Sequence, residues 1–172
     1  MGDVVHTMPA ISDIAANLPD AQIDWLVEAP FAALPAMHPA IHAVIPIAWR
    51  KWRKKLFARE TRAALGVARA EIKKEQYDLV LDMQGLAKSA LWAMQARGPR
   101  AGYDASSARE PLAAFTYGRR AKVNKSLHAV ERSRLLAAAH LGYAITGKAH
   151  FGLQAPVPGW RPQTEHYAVL IA

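Results

Sequence analysis

The sequence predicts an α/β fold built on a doubly wound parallel β-sheet, and three observations predict it. Short apolar stretches alternate with charged, helix-like stretches along the chain, the pattern of repeated strand–helix–strand units. One strand candidate, Tyr77–Leu81, contains the uninterrupted run Leu79-Val80-Leu81, which suits burial on both faces of a parallel sheet. The chain of 172 residues is 52% hydrophobic and 21% charged. That is about one domain with a substantial core, and it excludes an intrinsically disordered protein.

Taken in order, Gly2-Asp3 reads as a loop that feeds a helix, Val4–Asn17, where Pro9 is tolerable only near the first turns. Gln22–Glu28 and Ala43–Ile47 read as short strands. Trp49–Glu75 is charged, Ala-rich and free of proline, and reads as one long or broken helix. After the Tyr77–Leu81 strand, Leu86–Ala96 places Ala87, Ala90, Leu91 and Met94 at helical spacing and stops at Gly98-Pro99. Arg100–Tyr103 is a further short strand. Leu127–Leu141 is a helix with Ser126 as N-cap candidate and Gly142 as its stop. Gln154–Pro162 holds three prolines and a glycine and reads as a linker. Beyond it, Tyr167–Ala172 has a buried-strand pattern, so the expectation is a chain that runs on into a second domain. Gly2-Asp3 likewise implies a preceding strand, because ligand-facing loops in open α/β sheets follow strands. The expected division is 1–153 as one domain lacking its first strand, 154–166 as linker, and 167–172 as the start of the next domain.

The net charge of +8 is unevenly placed. Residues 1–48 hold Asp3, Asp13, Asp20, Asp24 and Glu28 and no Lys or Arg, whereas residues 49–172 carry all 22 cations against nine acids. Such asymmetry points to an anionic partner: nucleic acid, phosphorylated lipid or a phosphosugar. Cysteine is absent, which excludes disulfides, thiolate metal sites and thiol catalysis and suits a reducing cytosol. No apolar window is long enough for a membrane span, and no charged-then-apolar leader is visible.

Three segments carry candidate chemistry. Asp3, at the mouth of a helix, is either an N-cap or a carboxylate kept ionised by the helix dipole and able to take a proton from a hydroxyl. Gly2 beside it allows close approach of a substrate to the backbone. Trp49-Arg50-Lys51-Trp52-Arg53-Lys54-Lys55 packs five cations and two indoles into seven residues. It is either a solvated helix face or an anion-binding surface, and membrane lipid and nucleic acid would use the same chemistry. Asp82-Met83-Gln84-Gly85-Leu86-Ala87-Lys88-Ser89-Ala90 lies where a strand gives way to a helix. It fails as a Walker A loop, since Lys88 follows Ala87, yet it can present Gln84 and Lys88 to an anion. The alternative is a turn glycine followed by an exposed helix lysine. His6, His38, His42 and His128 lack metal-ligand spacing and read as capping, packing or surface residues. Trp25 and Trp92 read as core or sheet-covering residues.

Several segments in series resemble a known family: Gly2–Ala10, His38-Pro39-Ala40, Val44–Ala48, Arg50–Lys54, Asp82–Ala90, Ala108–Ala113 and His128–Arg132. Together they are similar to the bacterial lipopolysaccharide heptosyltransferases of glycosyltransferase family 9, of the heptosyltransferase I type, over essentially the whole chain. The resemblance implies a Rossmann-like N-terminal half of a two-domain GT-B glycosyltransferase. It implies inverting transfer of heptose from ADP-L-glycero-D-manno-heptose to Kdo of Kdo-lipid A at the cytoplasmic face of the inner membrane. By the same resemblance Asp3 is the catalytic base, and Gly2, Arg50, Arg53, Lys54 and Arg109 face the acceptor, with Gln84, Lys88 and Arg132 as further acceptor residues. Trp49 and Trp52 are expected at the lipid interface. The implied partners are Kdo-lipid A, an anionic membrane surface, and ADP-heptose held through a second domain, with no metal, no cofactor and no nucleic acid. This chain alone is expected not to catalyse transfer. The alternatives are a related glycosyltransferase with another acceptor, or a non-catalytic basic module that binds anionic lipid or nucleic acid.

Overall fold

A computed structural model describes residues 1–154. The chain opens with helix α1 (Gly2–Asn17), followed by strands β1 (Ile23–Glu28) and β2 (Ile41–Ile47). The short helix α2 (Trp49–Trp52) and the helix α3 (Arg59–Ile72) come next. Then follow β3 (Val80–Leu81), α4 (Ala87–Ala93), β4 (Arg100–Tyr103), β5 (Arg119–Ala121) and α5 (Ala129–Leu141). All pairing is parallel: β1 with β2, β3 with β4, and β4 with β5. The strands form two sheets, β1-β2 and β3-β4-β5.

Both faces of the sheets are covered, as the apolar strand runs require. Trp25 and Val27 of β1 point to α1, meeting Val4 and Met8, whereas Leu26 between them joins the opposite side. On that opposite side Ile45 and Ile47 of β2 pack with Ala68 and Ile72 of α3 and Trp92 of α4. No ladder joins the two sheets among the described residues. They are held by one apolar cluster in which Ala10, Ile11 and Ile14 of α1 and Ala137 of α5 meet Ile23 and Ile41 on one side and Leu81 and Met83 on the other. The Tyr77 phenol also donates to Asp24 Oδ2 at 3.0 Å, linking the β3 approach to β1.

Most elements fall where the sequence puts them, and the differences have local causes. Gly2 and Asp3 are not a loop but the first turn of α1, which begins after Met1 and runs through Pro9. Pro9 leaves the Val5 carbonyl without its amide donor, and its fully buried ring compensates by packing. The 49–75 stretch is broken, not continuous: α2 ends after one turn and a tight connection through Lys55 to Ala58 leads into α3. Ser126 does not cap α5. The cap is His128, whose Nδ1 accepts from the Val130 amide at 3.3 Å. Ser126 instead donates to Asn124 in the preceding turn. Gly142 does stop α5, in the left-handed region at φ 77°. Strand β5 gave no apolar signal because its residues are Arg119, Arg120 and Ala121. Pro46 sits in β2, which among the described residues pairs with β1 alone, an edge position that tolerates a residue without an amide donor. The expected linker from residue 155 onward and the Tyr167–Ala172 strand lie outside the described residues.

Candidate active site

The candidate residues gather just past the carboxyl ends of the parallel strands, where α/β sheets bind ligands. β2 ends at Ile47 and hands over to α2, which carries Arg50. β3 ends at Leu81 and opens the Asp82–Leu86 loop before Lys88, and β4 ends at Tyr103 before the segment that carries Arg109.

Asp3 is neither a cap nor a free carboxylate. Arg109 grips both its oxygens, Nη2 to Oδ1 at 2.7 Å and Nη1 to Oδ2 at 3.1 Å, across 106 residues of sequence. Both side chains are 44% exposed, so the pair sits at an open surface and not in the core. The Arg109 hydrogen bonds hold the Asp3 carboxyl below the usual carboxylate range, against a smaller opposing effect of burial. His6, one turn along α1, adds to the same direction and stacks edge-on to His128 with ring centroids 5.4 Å apart. A methyl at Gly2 would meet only His6, at 3.7 Å, so the approach over Gly2 is open.

Four of the predicted cations converge. Arg50, Arg53, Lys54 and Lys88 line one cleft of about 450 Å³, with Trp49 at its wall. Arg50 also lies 5.5 Å over the Phe31 ring. The tryptophans, expected at the lipid interface, are half-buried. Trp49 and Trp52 pack on the buried Trp92 at centroid distances of 6.0 and 6.1 Å, because one turn of helix anchored on the sheet can set two indoles against it while leaving its cations in water.

The loop after β3 is built by a residue that the sequence reading passed over. Buried Asp82 accepts from the Gln84 and Gly85 amides at 2.8 and 3.3 Å, from the Ser89 hydroxyl at 2.7 Å and from the Tyr117 hydroxyl at 2.5 Å. Burial first, and the Asp82 carboxylate second, push the Tyr117 phenol well above its ordinary value, so it stays a donor. Gly85 turns at φ 64°, with the Tyr103 ring and Ala108 where a side chain would go. Glu110 was also missed. Its carboxylate accepts from the Ala87 amide at 2.7 Å and its own amide donates to the Gly85 carbonyl at 3.0 Å. The Arg109-Glu110 dipeptide therefore ties the Asp3 pair to the loop that carries Gln84 and to the start of α4, which carries Lys88. Polar strand-end residues in a Gln-Gly loop were the only signal for this bracing. Gln84 stands on that loop outside the cationic cleft. Arg132 turns inward: Nη2 donates to the Ser107 carbonyl at 2.6 Å and the guanidinium stacks 4.9 Å over Tyr103, which braces the Arg109 segment. Among the described residues no group of three or more His, Asp or Glu is placed to hold a metal ion.

A parallel α/β fold with an acid and a set of fixed cations beyond its strand ends defines a Rossmann-like ligand-binding domain suited to an anionic ligand. The comparisons with known proteins narrow the class. The family model for glycosyltransferase family 9 (heptosyltransferase) matches residues 67–157, more than half of the chain. The chain belongs to that family. It is 47% identical over 144 residues to lipopolysaccharide heptosyltransferase 1 of Salmonella typhimurium, covering 83% of this chain and 45% of the relative. Against the Escherichia coli K12 protein of the same name the identity is 46% over 145 residues, covering 84% and 46%. The solved structure of E. coli heptosyltransferase WaaC with ADP-2-deoxy-2-fluoro heptose superposes with a TM-score of 0.85 at 42% identity, covering 88% of this chain and 49% of that one. The chain thus spans about half the length of the curated relatives that it matches.

Proposed function

We propose that this chain is the acceptor-binding half of an inverting heptosyltransferase that moves heptose from ADP-L-glycero-D-manno-heptose to Kdo of Kdo-lipid A. The observation that carries the reading is Asp3, held by Arg109 on a surface tied through Glu110 to a four-cation cleft. The names of its relatives, and the sugar nucleotide in the E. coli structure, support the substrate class.

The acceptor presents carboxylates and phosphates, which the cleft formed by Arg50, Arg53, Lys54 and Lys88 suits by charge. A sugar-acid carboxylate has the same forked geometry as the Asp3 side chain and so competes with it for Arg109. Once an Asp3 oxygen is released, it accepts the proton of the attacking Kdo hydroxyl. The Kdo oxygen so freed bonds to the anomeric carbon of heptose while that carbon's bond to the β-phosphate oxygen breaks, and ADP leaves with the electron pair on the opposite face. Positioning and fixed charge carry the rate. The acceptor places the reaction at the cytoplasmic face of the inner membrane, against an anionic surface.

A chimera tests this reading, with residues 2–154 of this chain replacing the matching segment of E. coli WaaC. It should transfer heptose to Kdo-lipid A, and Asp3→Asn should lower turnover by about 10²–10⁴-fold. Undiminished turnover with Asp3→Asn would overturn the assignment of the base. The unfused chain should bind Kdo-lipid A without transferring heptose.

A further inference from the structure

The basic segment has a second face that the acceptor reading leaves unused. The connection between α2 and α3 brings Leu56 and Phe57 to its tip, and Phe57 is 96% exposed, Leu56 40%. The two are adjacent and share one tip, and Phe57 is the barest large apolar side chain among the described residues. The tip is a formed turn and not a loose strand: the Lys55 amide donates to Trp52 at 3.0 Å and the Ala58 amide to Lys55 at 3.1 Å. Its base is fixed, since Trp49 and Trp52 are seated on Trp92.

Charge identifies what covers it. Six cations lie between positions 50 and 59, and no acid occurs between Glu28 and Glu60. Arg50, Arg53 and Lys54 line the cleft, whereas Lys51, Lys55 and Arg59 are exposed outside it. Among the described residues none of the six is in an ion pair. A bare aromatic tip ringed by unpaired cations is complementary to an anionic bilayer, with phosphates at the rim and acyl chains beyond. Duplex nucleic acid would match the cations but gives an aliphatic Leu56 beside the phenyl ring no apolar layer to enter.

We propose that Leu56 and Phe57 insert into the headgroup–acyl boundary of an anionic membrane, with Lys51, Lys55 and Arg59 on lipid phosphates. This deepens the membrane partnership proposed above and does not use the assignment of Asp3 as base. The absence of cysteine gives a direct test. The full chain carrying Phe57→Cys, labelled there with an environment-sensitive fluorophore, is mixed with phosphatidylcholine vesicles with or without 30% phosphatidylglycerol. The label should shift to the blue and become shielded from aqueous iodide only with the anionic vesicles. In sedimentation, Phe57→Ser should weaken vesicle binding about tenfold, and Lys55→Glu with Arg59→Glu should abolish it at physiological salt. Val67→Ser, at an exposed site on α3, should change nothing. Vesicle binding with the label still open to iodide, and with Phe57→Ser at full affinity, would overturn the insertion while leaving a purely electrostatic membrane contact. No binding to anionic vesicles, or binding to duplex DNA in preference, would overturn both and leave the Asp3 reading to its own test.

Discussion

The base proposed at Asp3 has to be both ionised and available, and Arg109 secures the first at the expense of the second. Because the folded carboxyl titrates below its ordinary value, the pair stabilises the fold fully above the unfolded aspartate pKa of about 3.9. That contribution is lost as the pH falls through the folded value. Arg109→Ala should therefore let the Asp3 carboxyl rise toward its ordinary value, and carboxyl-carbon NMR across pH 2–6 checks it. A titration unmoved by the substitution would mean that Arg109 does not hold Asp3 in solution. Either result leaves open water around the pair, so the stability change itself stays within the small range of surface ion pairs. Neither partner could be matched to the other from sequence, since 106 residues separate them. Asp3 itself was legible as a candidate from its place at a helix mouth.

Among the elements, the packing of α1 on α5 is fixed by a buried charge. Arg134, 7% exposed, donates to Asp13 from Nε at 2.6 Å and from Nη2 at 3.1 Å. Removing one partner strands the other away from water. Arg134→Met should cost about 3–5 kcal/mol in urea denaturation, far more than any surface pair in the chain. The Asp82 loop is the same case in a functional setting. Asp82→Ala leaves the Tyr117 hydroxyl and the Gly85 amide short of an acceptor, at about 1–3 kcal/mol each, and should unpin the Asp82–Leu86 loop. Weakened acceptor binding with an intact fold is the readout. Helix identities were legible here because periodicity and stop signals are local, and Gly142 is the clearest instance. Where the 49–75 stretch breaks was not. The indoles turn in to meet Trp92, a partner forty residues away that no local pattern announces.

For the molecule as a whole, two parallel sheets depend on α1 as their common cover. Ile11 belongs to the cluster that touches both, so Ile11→Ala should cost about 2–5 kcal/mol and speed hydrogen exchange in β1 and β3 alike. Loss confined to one sheet would show that they fold independently. The cationic cleft acts at the same scale. Arg53→Ala with Lys54→Ala should weaken acceptor binding about tenfold and flatten its salt dependence, because fewer fixed charges meet the anionic head. Unchanged affinity across salt would remove the cleft from the acceptor site. Among the described residues no helix is long and apolar enough to cross a membrane. The sequence by itself determined the α/β class, the parallel strands, the polarity of the two charge halves and the motif series of family 9. These are written in near-neighbour patterns of burial and spacing. Only the tertiary structure decided that Arg109 is the partner of Asp3, that Asp82 builds the loop, and that the tryptophans turn in while Phe57 turns out. Each of those depends on which distant surfaces come within a few ångströms, and contact at that range is set by packing, which no local window contains.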